Sequence, residues 1–209
     1  MSSNMSTFAR RALWALPVWA ALLFYSTLTH QPDPQKDFAG FAAYVTTNEF
    51  LFSHLIASIG GAAIGSVGVI ALMLFLQDTT VARRALTGMI ATVTGNTLVS
   101  SVFGLAAFAQ TAMGRLFQAG AQNALEFYNQ VYNGPLFATA LVALLLFMIG
   151  GVFTGSAIAT CGRLPRWAGW VYAITTVLFV LSNFLFDPGQ SISSGLLFIA
   201  TVAVAWSAA

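Results

Sequence analysis

Six long apolar stretches, joined by short polar segments, make up most of this 209-residue chain. The stretches cover residues 12–29, 50–76, 86–113, 136–160, 168–186 and 192–207. About 20 apolar residues in a helix, rising 1.5 Å each, cross the hydrocarbon core of a bilayer. The pattern therefore predicts an all-α integral membrane protein, a bundle of six transmembrane helices that forms a single domain over residues 1–209.

Two of the polar segments carry amphipathic patterns of their own. Phe38, Phe41 and Val45 recur at helical spacing, and residues 114–135 divide into an apolar and a polar face. These segments predict one or two short interfacial helices on the outer side of the membrane. Thr46 and Glu49, three residues apart before an apolar run, predict a capping box at the start of the second span.

Charged residues are scarce and unevenly placed. The chain is 58% hydrophobic and 7% charged, with a mean hydropathy of +0.81, whereas soluble domains carry about 25% charged residues. If six spans alternate in direction, most basic residues fall on one side. These are Arg10, Arg11, Arg83, Arg84, Arg163 and Arg166, against Lys36 and Arg115 on the other side. Because basic loops stay in the cytoplasm, we expect a multi-pass protein of a bacterial cytoplasmic (inner) membrane, with the N-terminus and C-terminus inside.

Composition and motifs narrow the functional classes. The basic excess is only two charges, 8 Lys and Arg against 6 Asp and Glu, so we expect no nucleic-acid partner. The expected partners are the lipid bilayer and, further, other membrane subunits. Cys161 is the single cysteine, which excludes a disulfide within the chain. No P-loop, H-E-x-x-H, C-x-x-C or G-x-S-x-G motif occurs. The sequence therefore predicts no metal site, supports no cofactor by a motif, and favours a protein that is not an enzyme.

Pairs of glycines four residues apart mark faces suited to close helix packing. Gly61 and Gly65 form one pair, and Gly151 and Gly155 form the other. Small residues at this spacing let two membrane helices approach and gain dispersion contact. Both pairs occur in an I-G-G-x-x-x-G-S segment, which is either the trace of a duplicated helical hairpin, as in some transporters, or a chance match.

His54 is the sharpest single candidate for function. With Ser58, Gly61 and Gly65 it forms an i, i+4, i+7, i+11 series, so its ring is predicted to face the packed seam. A polar ring within an apolar span needs a partner. It either bridges two helices as a neutral imidazole or serves as a proton relay, a haem or metal ligand, or a quinone contact.

Asn96 lies in the middle of the third stretch, in a stripe of small and polar residues at four-residue spacing. The stripe contains Gly88, Thr92, Asn96, Ser100 and Gly104. It is expected either to hold helices together or to line a polar cavity.

Asn183 and Asp187 lie four residues apart at the outer end of the fifth stretch. Asp187 precedes Pro188, which favours a role in ending the helix. The functional alternative pairs Asp187 with His54 or Arg115 at the outer mouth of the bundle.

Three functional classes follow from these features. Small-residue seams and sparse polarity within the spans favour a non-catalytic membrane subunit or an assembly or binding partner. The repeated segment and the Asn96 stripe favour a small-solute transporter or channel. His54 favours a cofactor-binding membrane redox protein that uses haem or a quinone.

Overall fold

The computed structural model describes residues 3–185 and 188–209. Helix accounts for 84% of the chain, and the described residues contain no strand. The all-α class predicted from the apolar pattern is therefore confirmed.

The described residues form nine helices. Their bounds are α1, Ser3–Ala12; α2, Ala15–Ser26; α3, Phe38–Val45; α4, Asn48–Leu76; α5, Ala82–Gln118; α6, Ala124–Val131; α7, Gly134–Thr160; α8, Arg166–Leu185; and α9, Pro188–Ala208. Four of these, α4, α5, α7 and α9, are long and apolar enough to cross a membrane.

The first apolar stretch is divided between α1 and α2. Pro17 has no N–H, so the carbonyl of Leu13 cannot accept the usual bond from four residues ahead. It accepts instead from the N–H of Leu16 at 3.0 Å. The helix therefore breaks at Leu13 and Trp14, and α2 begins anew at Ala15.

Six helices close into a ring. Along the chain α2 packs against α4, α4 against α5, α5 against α7, α7 against α8, and α8 against α9. The ring closes because α9 also packs against α2. Leu197, Ala200 and Val204 of α9 are fully buried, so the last apolar stretch is an integral part of the bundle.

Glycines allow close approach at three of these contacts. Gly65 of α4 lies against the Trp19 ring of α2, and Gly155 of α7 lies against the backbone of Gly169 in α8. Gly61 likewise packs on α2, beside Leu22, and Gly151 lies on Thr176 of α8. An added methyl group has no room at Gly65, Gly151 or Gly155.

The contact between α5 and α7 is reciprocal. Thr154 of α7 lies over Gly88 of α5, and Thr92 of α5 lies over Gly150 of α7. Both threonine hydroxyls are buried without a hydrogen-bond partner among the described residues. Gly88 and Thr92, two of the five residues of the predicted polar stripe, are therefore used in helix packing.

The glycine pairs do not behave as equivalents in a duplicated hairpin. Gly61 and Gly65 face α2, the ring helix that precedes α4, whereas Gly151 and Gly155 face α8, the ring helix that follows α7. A duplication of two-helix units would place both pairs on the same kind of neighbour. The packing thus argues against the repeat that the sequence raised as an alternative.

One end of the ring carries a small helical cap. The cap consists of α3, α6 and the last turns of α5, a helix whose 37 residues span about 55 Å at 1.5 Å each. Gly114 of α5 lies against Val45 and Ala42 of α3, and the ring of Phe41 meets Tyr128 of α6 at 5.4 Å.

The start of α4 differs from the predicted capping box by one residue. Thr47 accepts from the N–H of Phe50 at 3.2 Å, whereas Thr46 donates to carbonyls at the end of α3. Thr47 is therefore the N-cap, and Glu49 lies in the first turn without the predicted capping role.

Arginines gather at the opposite end of the ring. Arg10 donates to the carbonyl of Ala208 at 3.0 Å, and Arg84 donates to the hydroxyl of Thr160 at 2.9 Å. These bonds tie the ends of α1 and α9, and of α5 and α7, together. We call this end of the bundle, with Arg10, Arg11, Arg83, Arg84, Arg163 and Arg166, the basic end.

Candidate functional site

A cavity of about 460 Å³ lies inside the helix ring. It extends from exposed Gln31, beside the cap, to buried Asn96 in α5. Eight residues of α2 separate Thr27 near its mouth from Trp19 near its deep end, a depth of about 12 Å. Every helix of the ring contributes to its wall. The lining residues that the following argument uses are Trp19, Ser26, Ser53, His54, Ser58, Ala62, Asn96, Val99, Phe103, Phe147 and Gln190.

Aromatic rings form the floor of the cavity. Trp19 is 3% exposed and meets Phe147 edge-on at 6.0 Å between ring centroids. Tyr172 lies 6.2 Å from Trp19 and is also buried. Below these rings, towards the basic end, Leu16 and Leu72 belong to a continuous apolar core. The cavity is therefore blind, open towards the cap and closed towards the basic end.

His54 lies in the wall of the cavity, near the start of α4. Its ring lies 4.1 Å from the ring of Phe50 and meets Phe103 edge-on at 5.7 Å. Nδ1 is 3.0 Å from the carbonyl oxygen of Phe50. Since a carbonyl only accepts, Nδ1 carries the proton of the neutral ring, and the lone pair is on Nε2.

The helix around His54 is wound more loosely than an α-helix. Residues Ser53–Gly60 form a π-helical segment, and the hydroxyl of Ser58 donates to the carbonyl of Ser53, five residues earlier, at 3.0 Å. A second π-helical segment, Ala106–Gln110, lies beside it in α5. Such segments frequently occur at functional sites, and here the first one supplies three polar residues of the cavity wall.

Asn96 lies at the deep end of the cavity and is 4% exposed. Its Nδ2 donates to the carbonyl of Ala62 at 3.0 Å and to the hydroxyl of Ser66 at 3.1 Å. The carbonyl partner fixes the amide orientation, so Oδ1 is the atom left without a partner among the described residues. Asn96 therefore bonds α5 to α4, as one of the two alternatives predicted, and it also lines this mostly apolar cavity.

The structure brings together His54 and Asn96 but not every residue predicted with them. Asp187 lies outside the described residues, and Asn183 is described only as part of the α8 backbone. Arg115 is exposed on the last turns of α5 and forms no bond with His54. The predicted pairing of Asp187 with His54 or Arg115 therefore concerns a residue outside the described part of the chain.

The loop that holds His30 contributes Thr29 and Gln31 to the mouth of the cavity, whereas its two aspartates have other partners. Asp33 forms an ion pair with Lys36 at 3.4 Å, and Asp37 caps α3 by accepting from the N–H of Gly40 at 2.8 Å. Within residues 3–185 and 188–209, no three His, Cys, Asp or Glu side chains are grouped as a metal ion requires.

Trp19, Ser53 and the π-helical winding of Ser53–Gly60 were not predicted from the sequence. Trp19 lies deep in an apolar stretch, away from the ends where tryptophans of an interfacial belt occur. This position in the middle of the stretch could have predicted that the Trp19 ring packs inside the bundle. The π-helical segment had no such signal, because helix winding depends on the packing around it.

Comparison with known protein families, with characterised proteins and with solved structures finds no match to this chain. Its function must therefore be inferred from the cavity itself.

Proposed function

We propose that this protein crosses a membrane with the six helices of the ring and binds one small, mostly apolar molecule in the blind cavity. The single observation that carries this proposal is the cavity of about 460 Å³ that leads from exposed Gln31 to buried Asn96. Ligand sites in proteins have volumes of about 300–1,000 Å³ and combine an apolar wall with a few placed polar groups.

The distribution of charge supports an orientation for the proposed membrane protein. Six arginines lie at the basic end, and loops rich in Lys and Arg stay in the cytoplasm. The N-terminus and the C-terminus are then cytoplasmic, and the mouth of the cavity opens towards the opposite side. The ligand would enter from that side, past Gln31 and Gln190.

A role as a non-catalytic subunit is less well supported by this geometry. That role was inferred from small-residue seams suited to contact with other membrane helices. The seams at Gly65 and Gly155 pack against α2 and α8 of the same chain. They are therefore not available to a partner.

Transport is a second candidate function, favoured by the depth of the site. Transporters bind their substrates near the middle of the bilayer, and Asn96 lies in the middle of α5. Release towards the basic end requires the rings of Trp19, Phe147 and Tyr172 to separate. Uptake of the bound molecule into proteoliposomes, and its loss on substitution of His54, would distinguish transport from binding alone.

The experiment that tests binding is to fill the cavity. Val99 lines the cavity, so Val99→Trp places an indole in its volume. Ile90, on the same helix, is 55% exposed on the outside of the ring, so Ile90→Trp is the matched control. After mild extraction, native mass spectrometry should detect a small molecule bound to the wild-type protein and to Ile90→Trp, but not to Val99→Trp. Equal occupancy in all three proteins, or none in the wild type, would contradict the proposal.

A further inference from the structure

Four polar side chains of the cavity wall, Ser26, His54, Ser58 and Asn96, share one feature: their hydrogen-bond donors are already engaged within the protein. Nδ1 of His54 bonds the carbonyl of Phe50, and Nδ2 of Asn96 bonds the carbonyl of Ala62. Both donors are thus held by the backbone of α4. The unengaged atoms, Nε2 of His54 and Oδ1 of Asn96, are acceptors.

Two of the hydroxyl groups follow the same rule. Ser26 donates to the carbonyl of Leu23 at 2.7 Å, and Ser58 donates to the carbonyl of Ser53. A hydroxyl that has given its proton to a carbonyl keeps only its lone pairs for a ligand. The hydroxyls of Ser53, Thr29 and Tyr44 also line the cavity and have no partner in the described chain, so each of them can donate to a ligand or accept from it.

The acceptors lie at two depths. Asn96 bonds to Ala62, and Ala62 lies eight residues after His54 in α4, about two turns along the helix. The wall between them is mostly apolar, with Ala57, Val99 and Phe103 among its residues, and the hydroxyl of Ser58 in this wall is already bonded to Ser53. A bound ligand displaces the water that hydrates these acceptors. If the ligand offers no donor, the acceptor is left buried without a hydrogen bond, and this weakens binding.

From this arrangement we infer that the ligand is an uncharged molecule that presents hydroxyl or N–H donors, such as an alcohol, a phenol or a hydroquinone. The inference rests on the proposed function. A charged ammonium group also donates, but none of the described residues that line the cavity is an acid that would neutralise it. A quinone, which offers only carbonyl acceptors, is matched less well by this wall than the corresponding hydroquinone.

The test compares three probes of similar size: 2-naphthol, its methyl ether 2-methoxynaphthalene, and the cation of 1-naphthylmethylamine. Binding is measured by equilibrium dialysis against the full-length protein in lipid nanodiscs. Empty nanodiscs and the Val99→Trp protein correct for partition into lipid. We expect 2-naphthol to bind about 10-fold or more tightly than either other probe, since an unpaired buried acceptor costs about one factor of 10 or more.

Two variants assign the preference to the named atoms. His54→Phe keeps a ring between Phe50 and Phe103 but removes Nε2, and Asn96→Leu removes Oδ1 at similar size. Because 2-naphthol has one hydroxyl and the two acceptors lie at different depths, the variant that removes the acceptor it uses should reduce its preference over the ether to less than about 3-fold. The other variant should keep the preference, and an unchanged preference in both would overturn the assignment. Thr97→Val, on the exposed side of α5, should keep the wild-type preference.

The possible failures are distinct. If 2-naphthol and its ether bind equally, and both are excluded by Val99→Trp, the cavity binds small molecules and the donor inference is wrong. Tightest binding of the ammonium probe would also overturn the inference. If no probe binds more to the wild type than to Val99→Trp, the proposed function fails together with the inference. Should Asn96→Leu fail to fold, the His54→Phe result decides.

Discussion

At the scale of single residues, the chemistry of this protein depends on which atom of each polar side chain is already bonded. Asn96 shows this most clearly, since its amide N–H groups hold α4 to α5 while its carbonyl oxygen remains available in the cavity. His54 has the same division, with Nδ1 engaged by its own helix. In each case the backbone of α4 selects the atom that a ligand can use.

The bonds of Asn96 should contribute measurably to stability. Asn96→Leu removes the bonds to Ala62 and Ser66, and side-chain bonds between membrane helices contribute about 0.6 kcal/mol each. We expect the free energy of unfolding, measured by titration with denaturing detergent, to fall by about 1 kcal/mol. Thr97→Val, whose hydroxyl bonds only its own helix, should change it by less than about 0.5 kcal/mol. Equal effects of the two substitutions would show that the Asn96 bonds contribute nothing.

The cap contains a second informative residue, Tyr132, which lies outside the apolar spans. Its hydroxyl oxygen and Oε1 of Gln110 are buried without a hydrogen-bond partner within the described residues. Burial raises the pKa of Tyr132 above its ordinary value; the side chain of Gln110, close by but outside ordinary hydrogen-bond geometry, lowers it by less, and Tyr128 adds to the rise. The pKa of Tyr128 is raised too, by burial and then by the charge of Asp33.

These pKa shifts predict a loss of stability in alkali. Since the folded-state pKa exceeds the unfolded one, the stabilisation is complete below about pH 10 and is lost as the pH rises towards the folded-state value. Thermal unfolding between pH 8 and 11 should show this loss, and a Tyr128→Phe, Tyr132→Phe protein should lose less. At pH 7, Tyr132→Phe should be as stable as the wild type or more so, because it removes an unpaired buried hydroxyl. Tyr25→Phe, an exposed position on α2, should follow the wild type, and an unchanged alkaline loss in the double variant would contradict the assignment.

At the scale of helices, small residues decide which pairs approach closely. The ring needs close contact between α7 and α8 and between α5 and α7, and it has glycine at each of these crossings. The effect of adding a methyl group at a glycine depends on what lies opposite it. At Gly155 the added methyl group would meet the backbone of α8, whereas at Gly104 no atom lies nearer than 4.0 Å to it. The same residue type therefore has opposite sensitivity at the two sites.

Alanine substitution separates these two cases. Gly155→Ala places a methyl group against the backbone of Gly169 and Ala173, and forced overpacking typically costs about 1–3 kcal/mol. Gly104→Ala should be neutral or stabilising by up to about 1 kcal/mol, because alanine favours helix more than glycine does. The measurement is again the free energy of unfolding in detergent. A destabilisation by Gly104→Ala as large as that by Gly155→Ala would contradict the packing described for α7 and α8.

At the scale of the whole molecule, the two ends of the ring differ in charge and in structure. The basic end is tied by arginine bonds to Ala208 and Thr160, whereas the other end carries the helical cap and the mouth of the cavity. This polarity supports the proposed orientation, in which the cap faces away from the cytoplasm.

Cysteine labelling tests the orientation. In a Cys161→Ser background, Gln31→Cys places a thiol near the mouth, and Thr80→Cys places one in the joint between α4 and α5. Both positions are exposed. A membrane-impermeant maleimide added to intact spheroplasts should label Gln31→Cys, and should label Thr80→Cys only after lysis. The reverse pattern would invert the proposed topology, and labelling of both in intact cells would argue against it.

The apolar pattern by itself determined the helical class and the positions of the main helices, because burial of long apolar runs requires helices whose backbone bonds are satisfied internally. Helical spacing also indicated that His54 and the two glycine pairs face other helices. These are local properties, which the order of residues contains directly.

Only the tertiary structure decided which helix each face meets. The closure of α9 onto α2 creates the central cavity, and residues distant in sequence, such as Trp19 and Asn96, become its floor and its deep wall. The sequence also could not show which atom of His54 or Asn96 is free for a ligand. That depends on backbone carbonyl groups that the fold places about 3 Å from Nδ1 of His54 and Nδ2 of Asn96. The sequence predicted polar candidates, and the fold selected the atoms that can bind.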